Sequence, residues 1–508
     1  MYADKRYAAV FPVLYILFFR SGRGFSRLAI LFRAILYYNK SDKQKYRRLR
    51  EMALSIKPYI ENKERIHLIG IGGVSMCALG MVLHGMGIQV TGSDMHQSKA
   101  TDHLEETGIP VTIGHKAENI AGADCIIRTA AVHDENPEIA AAIAKNIPVF
   151  ERAQSWGYIM TAYKNAVCFS GTHGKTTATS MMTHIAMEAG IDPTVMIGGY
   201  LNLLDAGHRV GHGDTIIMES CEYCNSFLNF TPTIAVILDI DADHLDFFKD
   251  LEDIKHSFRQ FAELTPEDRG IVIANGMDKN TMDALKGINR RLITFGLTPD
   301  MDVYPLHFDR GHSSFDVMCK GSFYTHVDLR VLGKHNCMDA LAAIAAAWAL
   351  GIEPEAVTRG LVSFTGAARR MEFKGVYNGA DIYDDYAHHP GELKATLDAV
   401  PERGYSRTIV VFQPHTYSRT KALFPEFVEQ LRRPDLTILA EIYAARETNT
   451  VGISSKDLAD QIPGAEYYKT FDEITQRLRE IAAPGDLILT IGAGDIYLVG
   501  EALAKEQA

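Results

Sequence analysis

Residues 166–179 read Ala166-Val-Cys-Phe169-Ser-Gly171-Thr-His-Gly174-Lys-Thr-Thr177-Ala-Thr179. Residues 166–169 have the apolar character of a buried strand end, Gly171 and Gly174 bracket a tight turn, and Thr176 opens an apolar-periodic helix to about Gly190. A strand, a Gly-bracketed turn and a helix N-terminus bring several backbone N–H groups to one point, where they can hold a phosphate. Lys175 adds a cation for the β- and γ-phosphates, and the hydroxyl of Thr176 or Thr177 can ligate Mg²⁺. Phe169 stands where the first Gly of the usual G-x-x-x-x-G-K-[ST] loop would be, so the glycine spacing is shorter. An ordinary strand–helix turn with a surface lysine is the alternative, and it leaves Gly-Lys-Thr-Thr at this junction unexplained. The stretch predicts an ATP site in an α/β domain.

A chain of 508 residues is too long for one core and implies about three domains. A hydrophobic fraction of 47% with 23% charged residues fits a soluble globular protein. The net charge of −11 argues against a broad nucleic-acid-binding surface. Seven cysteines, an odd number, imply reduced thiols and a cytoplasmic protein. Cys221 and Cys224 have the spacing of half a zinc or redox site, but no second pair or His partner is suitably placed, so two buried thiols are expected.

The first sixty residues differ from the rest. Residues 8–19 are almost wholly apolar, and Arg20, Arg23, Arg27 and Arg33 follow. That run falls short of the ~20 residues that span a bilayer, and no small-residue cleavage site follows it clearly. A basic amphipathic segment on a membrane surface is one reading; the favoured one is a dispensable extension, with Met52 as an alternative start.

Residues 66–69 form a short strand, then Gly70-Ile-Gly72-Gly73-Val-Ser75 leads into a helix over about 76–85. Residues 88–91 form a second strand, ending at Gly92-Ser93-Asp94. A Gly-rich first turn with an acidic residue about 20 positions on is the layout of a dinucleotide site. Ser75 replaces its third Gly, and such a turn suits any nucleotide diphosphate, so NAD is the weaker of two readings.

Further on, a strand over 214–219 delivers Glu219 and then Glu222, and one over 234–240 delivers Asp241-Ala-Asp243-His244-Leu-Asp246. In a parallel sheet the C-terminal strand ends line one crevice, where carboxylates and an imidazole can complete Mg²⁺ coordination around ATP. Helix capping is the alternative, credible for Asp246 and less so for Glu219 and His244. Gly333-Lys-His335-Asn336 opens an Ala-rich helix. After Gly366, three strand ends carry polar or Gly-rich loops: Asp384-Asp-Tyr386-Ala-His388-His-Pro390, Gln413-Pro-His415-Thr-Tyr-Ser-Arg419 and Gly492-Ala-Gly494. Three in one region point to a doubly wound sheet whose crevice faces a ligand.

Gly70-Ile-Gly-Gly, Gly171-Thr-His-Gly-Lys-Thr-Thr, Asp241-x-Asp-His244, Lys334-His-Asn, Arg369-Arg370-x-Glu372, Asp384-Asp-Tyr-Ala-His-His-Pro390 and Phe412-Gln-Pro-His415 occur in that order. From about Arg65 to the C-terminus the chain resembles the Mur ligases. The resemblance implies an α/β protein of three domains behind the extension at 1–60. These are a Rossmann-like UDP-sugar-binding domain at 61–162, a central P-loop ATPase-type domain at 163–365, and a doubly wound α/β domain at 366–508 that carries the amino acid. It implies ATP-dependent joining of L-alanine to the carboxylate of UDP-N-acetylmuramate through an acyl phosphate, in peptidoglycan precursor synthesis. ATP and Mg²⁺ are the implied cofactors. Nucleic acid and stable membrane insertion are excluded as partners, and the oligomeric state is left open.

The resemblance also implies residue roles. Gly171, Thr172, His173, Gly174, Lys175, Thr176 and Thr177 would hold the ATP phosphates, with Lys175 catalytic, and His335 and Asn336 would lie near the adenine. Thr176, Glu219, Glu222 and His244 would serve the metal. Gly70, Gly72, Gly73, Ser93 and Asp94 would bind the UDP-sugar, and Arg369, Arg370 and His415 would face the substrates. Tyr386, His388 and Arg419 would surround alanine, Arg419 gripping its carboxylate through two hydrogen bonds. His388 would be the general base, with a plain substrate hydrogen-bond donor as the alternative.

The sequence departs from the family pattern at three places. Cys221 and Cys224 replace two common aspartates, leaving Glu219 and Glu222 both as metal candidates; Thr416 stands where Arg often follows His415; and Asp339 stands where a second Asn is frequent. Rival readings are a ligase of the same family that joins a preformed peptide during wall recycling, an NAD-dependent oxidoreductase resting on residues 70–94 alone, and a non-catalytic nucleotide-binding adaptor.

Overall fold

A computed structural model describes residues 55–506 except 130–131, 246, 308–312, 332, 402–403 and 446. The segment at 8–19, Met52 and Asp246 lie outside the described residues. The described chain is α/β, with three sheets met one after another along the sequence.

The first sheet has five parallel strands in the spatial order Val111–Ile113, Val90–Asp94, Ile66–Ile69, Cys125–Arg128 and Val149–Glu151. The order reverses beside Ile66–Ile69, so its crevice opens over the Gly-rich turn. All four residues of Ile66–Ile69 are buried, as expected of a parallel strand covered on both faces. The second strand extends through Asp94, where the sequence reading ends it at residue 91. Ser93 is thereby a strand residue in register with Ile69, and not part of a loop.

The second sheet has ten strands with Asn165–Ser170 near its middle, between Ile234–Ile237 and Thr215–Glu219, all parallel. Ser170 pairs with Ile237 and Phe169 with Glu219, so three strand ends finish at one level. Helix Lys175–Glu188 begins there, one residue earlier than the sequence reading places it. Its N-cap is Gly174 at φ 79°, a left-handed conformation that glycine adopts without a Cβ penalty, and a Cβ here would also collide with Asp339 Oδ1. Helix Lys334–Leu350 packs beside it, with residues 340–347 all buried. The alanines there have short side chains that allow close approach.

The third sheet runs Glu372–Tyr377, Ala380–Asp385, Asp486–Ile491, Arg407–Phe412, Leu436–Leu439 and Glu466–Tyr467, antiparallel only in its first pair. Among the described residues no helix is long and apolar enough to cross a membrane. The expectation of two buried thiols is corrected at both positions: Cys221 is half-buried and Cys224 is exposed. Cys224 and Asn225 both have positive φ, and this kink turns the chain outward after Glu222.

Candidate active site

The three strand ends of the central sheet place the phosphate loop, Glu219 and the loop after Ile237 around one hollow. Lys175 Nζ donates to the Gly171 carbonyl at 2.6 Å and lies 3.2 Å from Glu222 Oε2. Burial opposes the charge of Lys175, but the Glu222 carboxylate outweighs it and holds the ammonium above its ordinary range. Asp239 accepts the His173 N–H at 2.8 Å and so braces the loop from the neighbouring strand end. His173 is half-buried, and burial disfavours its cation, yet Asp239 and Glu392 raise it to about 9. The loop therefore carries two cations at neutral pH.

The residues fit a magnesium ion at Thr176 and Glu219. The Thr176 hydroxyl donates to Glu219 Oε2 at 2.9 Å, and the same oxygen accepts the Gly198 N–H at 2.7 Å. A Cβ at Gly198 would collide with Glu219 Oε1, so the backbone leaves room for that carboxylate. A hydroxyl and a carboxylate beside a phosphate loop form the hard oxygen set that Mg²⁺ takes. Glu222 is committed to Lys175 instead, and His244 Nε2 lies 3.9 Å from Glu222 Oε1. The order of candidates is thus Glu219 ahead of Glu222.

A second grouping sets ligand atoms of His173, Asp241 and His389 within 4.8 Å of one another. His389 Nδ1 accepts the Gly391 N–H at 3.2 Å, so the neutral ring carries its proton on Nε2. Nε2 then presents a donor and not a metal lone pair, which suits an anion better than a cation.

Glu392, at the start of helix Pro390–Ala399, ties the third section to the phosphate loop. It accepts the N–H groups of His388 and His389 at 2.9 and 3.2 Å, and lies 3.6 Å from His173 Nδ1 and 3.9 Å from Arg370. Burial opposes its ionisation, but His388, His173 and Arg370 outweigh burial and hold its carboxyl well below the usual range. His388 Nδ1 donates to the Tyr386 carbonyl at 3.0 Å, leaving the lone pair on Nε2. Burial lowers His388 to about 4, so the ring is neutral at physiological pH. A neutral imidazole with a free lone pair is the form a general base needs.

Arg370 lies over the Tyr386 ring at 5.4 Å. Arg419 donates twice to Asp243, and its Nη1 lies 3.2 Å from His415. Arg369, expected to face the substrates, lines the cavity beside the phosphate loop with Arg370, and its guanidinium is also tied into the fold. Its Nε donates to Asp384 at 2.9 Å and its Nη atoms to the Gly494 and Gly492 carbonyls, while the Tyr386 and Tyr497 rings sandwich it.

In the first section Ser93 does not reach the crevice. It is fully buried and donates to Glu138 at 2.7 Å, because it lies inside a strand. Asp94 Oδ2 accepts the Gly72 N–H at 2.9 Å, so the acid that would hold a ribose in an NAD site instead fixes the Gly-rich turn. Gly70 enters that turn with a positive φ, and Gly73 caps the helix Val74–Gly85 that follows it. His335 and Asn336 line a cleft of about 300 Å³ with His173, Thr177 and Asp339. A separate cavity of about 510 Å³ is lined by Val74, the phosphate loop from Thr172 to Thr176, Glu219, His244, Arg370, Tyr386 and His388. Asp239 and Glu392 escaped the sequence reading. The only signal for Glu392 was its place three residues into a helix after His389, where it completes a capping box.

Fold and site together define an α/β protein with a phosphate loop whose cleft adjoins a second cavity. Three family models match successive parts of the chain: the Mur ligase family catalytic domain at 65–164, the Mur ligase middle domain at 169–347 and the Mur ligase glutamate ligase domain at 369–494. The chain is 45% identical over 454 residues to a UDP-N-acetylmuramate–L-alanine ligase of Caldanaerobacter subterraneus subsp. tengcongensis, covering 88% of this chain and 98% of the relative. It is 46% identical over 449 residues to the ligase of the same name from Agathobacter rectalis, covering 87% and 98%. The solved structure of the UDP-N-acetylmuramate-alanine ligase MurC from Thermotoga maritima superposes with a TM-score of 0.74 at 26% identity, covering 87% of this chain and 99% of that one. A murein peptide ligase from Psychrobacter arcticus shares the fold, with a TM-score of 0.67 at 22% identity and coverages of 87% and 98%. The chain belongs to the Mur ligase family.

Proposed function

We infer that this chain is an ATP-dependent ligase that joins L-alanine to the carboxylate of UDP-N-acetylmuramate, a step of peptidoglycan precursor synthesis, and that it works in the cytoplasm. The observation that carries this reading is the cavity of about 510 Å³ in which Val74, Lys175, Glu219 and His388, drawn from all three sheet regions, face one space. The names of relatives about 45% identical over almost their whole length support the same substrates. The domain roles proposed are UDP-sugar binding at 61–162, ATP binding at 163–365 and amino-acid binding at 366–508, supported by one sheet falling in each span.

The muramoyl carboxylate is a poor acyl donor, so it first attacks the γ-phosphorus of ATP, releasing ADP and forming an acyl phosphate. Lys175, the protonated His173 and the loop N–H groups face the charge on the transferring phosphoryl group. Mg²⁺, which Thr176 and Glu219 would hold, supplies further charge compensation at the phosphates when bound. The amine of alanine then attacks the acyl carbon, the amide forms and inorganic phosphate leaves. His388 Nε2 takes the proton that the amine gives up, Tyr386 and Glu392 holding Nδ1 of a ring that lines the cavity. Arg419 binds the alanine carboxylate in exchange for Asp243.

Phosphate release from Mg·ATP with UDP-N-acetylmuramate tests the reading, with L-alanine, glycine, L-serine or the tripeptide L-Ala-γ-D-Glu-diaminopimelate as acceptor. Release that requires the sugar nucleotide and is greatest with L-alanine is expected. Release with the tripeptide and not with alanine assigns the chain to peptide ligation instead.

A further inference from the structure

Asp339 is a buried acid without a partner. It lies in the second turn of helix Lys334–Leu350 and is only 8% exposed. Among the described residues its side chain makes no hydrogen bond, and no Lys, Arg or His nitrogen stands within ion-pair distance. It lines the cleft of about 300 Å³ with His335, Asn336 and Asn275, and its Oδ1 stands where it would collide with a Cβ on Gly174 of the phosphate loop. The charged and titratable groups that share this cleft are Asp239 from the neighbouring strand end, His173 from the loop, His335 from the same helix, and Arg370, Asp385 and Glu392 from the third section.

A carboxylate presents acceptors only: it can serve the nucleotide's donors, the 6-amino group and the ribose hydroxyls, but not its ring nitrogens or phosphate oxygens. Asp339 stands against Gly174 of the phosphate loop, where phosphate charge would repel an ionised acid. A carboxylic acid presents one donor and one acceptor, as a side-chain amide does. We propose that Asp339 serves the nucleotide cleft as a neutral carboxylic acid that donates a hydrogen bond to the bound nucleotide, so that affinity is lost as rising pH removes its proton. This rests on the reading of the cleft as the ATP site. Burial, joined by repulsion from Asp239 and opposed by Arg370 and His173, holds the Asp339 carboxyl well above the usual range.

Calorimetric titration of the full chain with Mg·ATP, from about pH 6 to about pH 9, tests the proposal. The expected result is an affinity that falls about tenfold per pH unit once the proton is lost, with net proton uptake on binding detected in buffers of different ionisation heat. D339N keeps the donor without the titration, so the only pH dependence and proton uptake left in it should be those of ATP itself and of His173, which is raised to about 9 and is common to both proteins. D339A, which lacks the donor, should bind more weakly throughout. Parallel pH profiles for the native chain and D339N, or no excess proton uptake by the native chain, would overturn the proposal. If neither protein binds Mg·ATP at any pH, the assignment of the cleft falls and the proposal with it.

Discussion

Arg419 and Asp243 join the third section to the central one: Nε and Nη2 of Arg419 both donate to Asp243 Oδ1, at 3.3 and 3.1 Å. Burial works against the Asp243 charge, yet Arg419 and His244 hold its carboxyl well below the usual range. An amino-acid carboxylate reaching Arg419 must therefore compete with a fully ionised protein carboxylate. Hydrogen bonds to charged groups contribute about 1.5–3 kcal/mol, so Arg419→Ala should raise the KM for L-alanine by roughly 10- to 100-fold and leave that for ATP unchanged. Asp243→Asn should not raise the KM for alanine. Initial rates with each substrate varied in turn decide this, and equal rises in both KM values for Arg419→Ala would remove the assignment.

Lys175 is the cation nearest the centre of the phosphate loop. Removing one preorganised donor that faces developing charge lowers kcat by about 10²–10³-fold, and Lys175→Ala should lose at least that much. Glu222→Gln should lower kcat less, because Lys175 keeps its contact with the Gly171 carbonyl at 2.6 Å. Single-turnover ADP formation measures both. A normal rate of ADP formation by Lys175→Ala would contradict the role given to this loop.

The phosphate loop was legible in the sequence because strand, turn and helix are contiguous there and each has its own signal. Ser93 was misread for a local reason: Gly92 resembles a strand terminator, yet pairing with Ile66–Ile69 carries the strand on to Asp94. Arg369 and Asp239 act through residues distant in sequence, Gly492 and Gly494 in one case and His173 in the other. No spacing rule reveals such partners. Cys224 was expected to be buried because no metal or redox partner is suitably spaced, and the left-handed kink at Cys224 and Asn225 has no glycine to announce it.

Glu138 anchors the first sheet region. It is fully buried and accepts from Ser93 at 2.7 Å and Asn119 at 2.6 Å, with His115 at 3.2 Å and His67 at 3.4 Å. Burial opposes its charge, and the His67, Ser93 and Asn119 hydrogen bonds outweigh burial, lowering it to about 2. Its folded value lies below the unfolded one, so its stabilisation is present above about pH 4.5 and is lost as pH falls toward 2. Glu138→Gln places an amide N–H₂ among these donors and should destabilise the fold by about 3 kcal/mol at neutral pH. Urea unfolding at neutral and acid pH should show the native-to-variant difference shrinking as the pH falls.

His388 separates a proton acceptor from a mere hydrogen-bond donor. Burial takes its ring down to about 4, so the lone pair on Nε2 persists across the physiological range. Because this lies below the ~6.5 of an exposed histidine, the unfolded chain takes up the proton first, and His388 lowers stability as pH falls from about 6.5 to about 4. The same value puts the acid limb of kcat/KM for alanine near pH 4 if His388 is the base. His388→Gln can still donate to the Tyr386 carbonyl but cannot accept the proton, and should lower amide formation by about 10²–10⁴-fold. Acyl phosphate would still form in the variant, and hydroxylamine trapping with ADP release would detect it. Loss of ADP formation together with amide formation would place His388 in the phosphoryl step. Full retention of both would leave it a substrate contact without proton transfer.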